Sequence, residues 1–174
     1  MVDIIQDNCA RQVNHFISEF AEENSKLPPI GIVVTKFDIA ARAIDKNNPN
    51  EASEFLDKVI RKAFNALIPD PTVFNGKGLD SFVGIFPVSL GAHIGDNENG
   101  GKMRPSNMQY PAYMGIWFLL HDLCKKDKNK AEEYSLAMKK LANEIENEGM
   151  HFFNNGQCGR FSELADDFAN KTME

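Results

Sequence analysis

Two short polar clusters carry residue types able to handle a small ligand: Thr35-Lys36-Phe37-Asp38 and Ser89-Leu90-Gly91. Each follows a short apolar run with the character of a strand, 30–34 and 82–88. The first cluster offers a hydroxyl, an amine and a carboxylate within four residues. The second offers a hydroxyl followed by backbone amides. A third grouping is His121 with Cys124, three apart on a predicted helix, a spacing that lets both reach one metal ion. His151 and Cys158 would complete four ligands only if the chain folded back. The helix that carries His121 and Cys124 is strongly apolar, so the expected role is core packing and no metal site is predicted. No Ser-His-acid or Cys-His pair stands in a recognisable nucleophile context.

Apolar spacing predicts the elements that must position these clusters. Cys9, Val13, Phe16, Ile17 and Phe20 make one helical face over about 8–24, with Arg11, Glu19 and Glu23 outside. Pro28-Pro29 stops that helix. Ile30-Gly31-Ile32-Val33-Val34 is a β-branched run without polar alternation, as suits a strand buried on both faces of a parallel sheet. A second stripe, from Phe55 and Leu56 through Val59, Ile60 and Ala63 to Leu67, follows a plausible cap at Asn50 and closes at Pro69-Asp70-Pro71. The second buried strand comes next, then a Gly- and Asn-rich connection over 91–107, then a helix over 110–124 that is apolar almost all round. The predicted fold class is therefore α/β, with helix-strand-helix-strand-helix order, parallel strands and three layers, over residues 1–125. Residues 126–174 change character. A charged helix over 131–148 and a short one over 162–169 predict a helical appendage.

In parallel sheets ligands gather at the carboxyl ends of the strands, which is where both clusters stand. The pair resembles the base-recognition motifs of the P-loop GTPases, Asn/Thr-Lys-x-Asp and Ser-Ala-Lys/Leu, each of which ends a strand in the C-terminal half of that domain. The resemblance covers roughly residues 8–125. It implies that Asp38 accepts two hydrogen bonds from the N1–H and exocyclic amine of guanine, a charge-assisted pattern that adenine cannot reproduce. It further implies that Lys36 lays its stem along the base plane, that Thr35 ties the two loops together, that Ser89 braces the second loop and that the Leu90 backbone N–H reaches guanine O6. Gly91 departs from the third residue of the family motif, which weakens the base pocket but spares the backbone donor. Read without the family, Thr35 and Asp38 also suit an ordinary strand-to-helix turn, and Ser89-Leu90-Gly91 suits any tight turn.

A phosphate-binding loop of the form Gly-x4-Gly-Lys-Ser/Thr does not occur in the sequence. In the nearest segment, Gly95 to Met103, Asp96 stands where glycine is needed and Met103 cannot ligate magnesium. By resemblance, then, the chain supplies guanine recognition without hydrolysis; GTP or GDP binds weakly at best, and no magnesium site is expected. The alternative expectation is a degenerate scaffold that binds protein without nucleotide. Two strands make a marginal sheet. The edge at 30–34 is therefore expected to pair with a missing N-terminal half of the domain, a partner protein or a second copy. The net charge of −6 disfavours nucleic acid and membrane surfaces as partners. Three widely spaced cysteines, Cys9, Cys124 and Cys158, and the lack of a secretion signal at Met1 to Asp7 give a cytoplasmic expectation.

Overall fold

The computed structural model describes residues 10–23, 26–35, 58–69, 80–89, 107–146 and 150–171. They form a mixed α/β arrangement around an open four-stranded sheet of order β1-β2-β3-β4. In chain order the elements are α1 (Arg11–Glu23), β1 (Ile30–Val34), a helical stretch α2 at 58–63, β2 (Phe82–Pro87), α3 (Tyr110–Lys126), a 3-10 turn at Lys128–Lys130, α4 (Ala131–Ile145), β3 (His151–Asn154), β4 (Gln157–Gly159) and α5 (Phe161–Asn170). The predicted beginning of the second helix and the loop at 91–106 lie outside the described residues.

β1 and β2 pair in parallel, Ile30 against Val83 through Val34 against Pro87, as the sequence predicts. Every residue of β2 is buried. Alternate side chains of this strand enter two separate cores, because successive strand residues point to opposite faces. Phe82, Phe86 and, just beyond the strand, Val88 join Phe152 against Tyr110, Met114 and Trp117 of α3, Ala142 and Ile145 of α4, and Phe161, Leu164 and Phe168 of α5. Val83 and Ile85 join Phe153 against Ile17 of α1, Ile60 of α2, and Leu27, Leu67 and Ile68. The first core is dominated by aromatic rings in edge-to-face contact, such as Phe82 with Phe161 at 5.8 Å and Trp117 with Phe161 at 5.4 Å. Gly84 leaves room for it: a Cβ there would stand 2.8 Å from the Phe86 ring and 3.0 Å from the Met114 sulfur.

The expectation of an all-helical appendage over 126–174 is corrected by residues 151–159. They form a hairpin whose first strand pairs antiparallel with β2, Phe82 against Asn154 through Ile85 against His151. The sheet is mixed rather than parallel throughout, and residues 145–169 contribute to the same core as α3. The turn is Asn155-Gly156, both with positive φ (51° and 78°), the backbone of a two-residue hairpin loop that matches strand twist. Asn155 anchors it. Its N–H donates to Ser81 O, its side-chain oxygen accepts from Ser81 N–H, and its amide donates to Asp80 Oδ1. Arg61 reaches from α2 to donate to Gly156 O at 3.2 Å and lies over the Phe153 ring.

A second anchor joins α4 to α5. Glu146, just past α4, accepts from the Ser162 N–H at 3.0 Å, the Ser162 hydroxyl at 2.5 Å and the Arg160 guanidinium at 2.7 Å. An acidic group at a helix N-terminus satisfies a free amide and complements the helix dipole. Burial opposes the charge on Glu146, but the Ser162 and Arg160 hydrogen bonds outweigh it and hold the carboxyl below its ordinary value.

Two outcomes follow from these anchors. Gly156→Ala forces a Cβ to within 1.8 Å of the Pro69 carbonyl oxygen in a left-handed conformation, so chemical denaturation should show a loss of roughly 2 kcal/mol or more. Glu146→Gln should lower the urea midpoint at neutral pH. Because the folded carboxyl titrates below its unfolded value, wild type loses this contribution as pH falls below 4.5. The gap between wild type and variant should therefore narrow in acid.

Candidate functional site

The carboxyl ends of β1 and β2 are joined beyond their last registered pair: the Val88 N–H donates to Val34 O at 2.9 Å. Thr35 and Ser89 are the residues that follow. Since the strands are parallel, both stand at the same end of the sheet. Thr35 occupies an exposed turn, whereas Ser89 is buried at 6 % exposure. The start of α3 is fixed to the same end. Asn107 adopts a left-handed backbone (φ 60°) and its side-chain amide donates to Pro87 O at 2.9 Å, while the Tyr110 N–H donates to Asn107 O. Gln109 makes no side-chain cap and Pro111 sits in the first turn, where its missing N–H costs no helical bond. The positive end of the α3 dipole thus lies at the carboxyl end of the sheet.

Of the five predicted contact residues, the structure brings Thr35 and Ser89 together at one sheet end. Lys36, Asp38 and Leu90 lie outside the described residues, as does the segment 95–103. The sequence reading missed Asn107, taking it as the last residue of a loop. Its signal was residue type: asparagine tolerates positive φ and often stands where a chain turns into a helix.

A cleft of about 420 Å³ opens at the opposite end of the sheet, lined by residues 26–29 before β1, Phe118, Leu119, His121 and Asp122 of α3, and Phe168 and Ala169 of α5. The lining cation Lys26 and its neighbour Lys125 are both engaged. Lys26 donates to Phe168 O at 2.6 Å and lies 3.9 Å over the Phe168 ring, and Lys125 donates to Ala169 O at 3.2 Å. Both thereby close off C-terminal carbonyls of α5, the negative end of that helix. Burial, with Lys125 nearby, holds the Lys26 ammonium below the usual lysine range although Asp80 pulls the other way. His121 is buried on this side, stacked on Trp117 at 5.7 Å. Burial and then the Lys125 charge lower its pKa, against a hydrogen bond with Asn170 and the Asp122 and Asp166 carboxylates.

Cys124 turns toward α4, its thiol near Ala131 O and the Met138 sulfur, while Cys158 is exposed on β4. Among the described residues no group of three or more His, Cys, Asp or Glu is arranged to hold a metal ion, and no helix is long and apolar enough to cross a membrane.

The lowered pKa fixes a sign for the His121 effect. The folded state prefers neutral imidazole, so below 6.5 the unfolded chain takes up protons that the fold resists, and stability falls with pH. His121→Gln should flatten the stability profile between about pH 7 and 5, read by thermal or urea midpoints across that range.

No family model, no curated protein and no solved structure matches this chain.

Proposed function

We propose that this chain is the guanine-recognition portion of a GTPase-like protein, with a strand pair arranged as in the second half of a G domain. The observation that supports the reading is the parallel pairing of β1 and β2, by which Thr35 and Ser89 follow the two strands at the same end of the sheet, each one residue past the Val34–Val88 bond. Sheet ends of this kind are where α/β proteins hold ligands. In this reading Asp38 takes the guanine edge, Lys36 covers the base plane, Thr35 and Ser89 brace the two loops, and the Leu90 N–H meets O6. The sequence has no phosphate loop, so phosphate and magnesium contacts come from outside residues 1–174. The chain alone binds GTP or GDP weakly and does not turn it over, and its setting is the cytoplasm.

A second reading, a scaffold that binds protein and no nucleotide, is favoured by the outer edge of β1, where no described strand lies. Val33 there is 46 % exposed.

Titration with GDP, ATP and guanine base by calorimetry separates the two readings. Guanine-selective binding that weakens by about tenfold or more in Asp38→Ala is the expected result, the loss of a charge-assisted hydrogen-bond pair. Equal affinity for GDP and ATP, or an unchanged constant in Asp38→Ala, sinks the nucleotide reading. No binding of any of the three leaves the scaffold.

A further inference from the structure

We propose that β1 pairs with β1 of a second copy of this chain, antiparallel about a two-fold axis at Ile32. The inference uses the strand edge alone and does not rest on the nucleotide reading.

Successive residues of a strand send their N–H and C=O groups to opposite edges. Val34 O is bonded to the Val88 N–H, so Val34 turns its backbone toward β2, and by alternation Ile32 and Ile30 do the same. Gly31 and Val33 turn theirs to the other edge, where no described strand lies. Each chain therefore presents two N–H and two C=O groups in a row, centred on Ile32. A two-fold axis at that residue sets Gly31 opposite Val33 of the second copy, and Val33 opposite its Gly31. Every one of those groups then finds a partner, and Ile32 meets Ile32 as the non-hydrogen-bonded pair between them.

The side chains match as well as the backbone. Opposite residues of an antiparallel pair project from the same face. Gly31 shares the face of Phe86 and Met114, which would lie 3.4 and 3.6 Å from a Cβ added there. Val33 is on that face and nearly half exposed. In the paired sheet each Val33 covers the bare backbone of the other copy's Gly31, a large residue over a small one on both sides of the axis. On the opposite face Ile30, Ile32 and Val34 already pack against the second core, and pairing continues that apolar row across the seam. No charge, proline or bulge within 30–34 guards the edge, the usual devices of strands that stay unpaired. An unrelated strand would satisfy the same backbone groups, but only a second copy brings the reciprocal glycine and valine. The product is a continuous eight-stranded sheet built about an isologous contact.

Light scattering behind size exclusion, run from low to high micromolar chain, tests this. Wild type should approach the mass of two chains as concentration rises. Val33→Pro removes an N–H that faces the outer edge and leaves the β1–β2 bonds intact, a place where an edge strand tolerates proline. Val33→Lys puts a charge on the seam. Both should raise the dimer dissociation constant by about tenfold or more with the wild-type far-ultraviolet spectrum retained. If one variant loses its fold, the other decides. A wild type that stays monomeric throughout, or a dimer whose constant is unchanged in the folded variants, overturns the proposal. GDP titration of the variants reports on the nucleotide reading separately, since neither substitution replaces a residue that this reading assigns to the nucleotide.

Discussion

β2 has no solvent-facing side. Its six residues are all buried, and its alternate side chains belong to two cores that meet only through the sheet. A strand of that kind needs cover on both faces and a bonded neighbour at each edge, because an unpaired buried amide costs as much as a lost hydrogen bond. β1 supplies one neighbour in parallel and β3 the other in antiparallel register. With the faces and edges of β2 occupied, the described polar residues that adjoin it stand at its two ends, Asp80 and Ser81 at one and Ser89 at the other.

The two edges of the sheet are finished differently. On the far side β4 is three residues long, exposed and ends in Gly159, so it offers little to a passing strand. Its hairpin is held by Asn155 and Gly156 against Ser81, Asp80 and Pro69, which locks its register to β2. On the near side β1 is longer, wholly apolar and half exposed along one row. Among the described residues, one edge of the sheet is thus closed by a short hairpin and the other is an apolar strand.

Legibility in the sequence tracked how local each signal was. Helices α1, α3 and α4 and both parallel strands were readable because their apolar spacing, or its absence, is decided within ten to twenty residues. The hairpin was missed for the same reason that β2 was found. Phe152 and Phe153 are adjacent and both buried, so they show no alternation, and the run is too short to stand out beside two helical stripes. Asn155-Gly156 was the available sign, a pair whose positive φ values suit a two-residue turn. Reading 126–174 as an appendage followed from its charged surface. The surface says nothing of Ile145, Phe161 or Phe168, which fill the core beneath α3. At the site, the placement of Thr35 and Ser89 was legible because it follows from strand direction alone. The Asn107 contact with Pro87 was not, since it joins residues twenty apart through a backbone conformation that no spacing encodes.

The cleft near 26–29 lies at the opposite end of the sheet from Thr35 and Ser89, and the two ends meet opposite helix termini. Lys26 in the cleft near 26–29 and Lys125 beside it donate to carbonyl oxygens at the α5 terminus, whose negative end their charges complement. An anionic ligand entering there would have to displace Lys26 from Phe168 O and then face the negative end of α5. At the Thr35–Ser89 end the polarity is reversed. There the amino end of α3, without a side-chain cap, is drawn onto Pro87 by Asn107. A ligand with acceptor groups would gain from that dipole, and one with paired donors would need a carboxylate. Asp38 is the carboxylate that the sequence provides three residues beyond Thr35. Among the described residues, then, a helix carboxyl end faces one end of the sheet and a helix amino end the other.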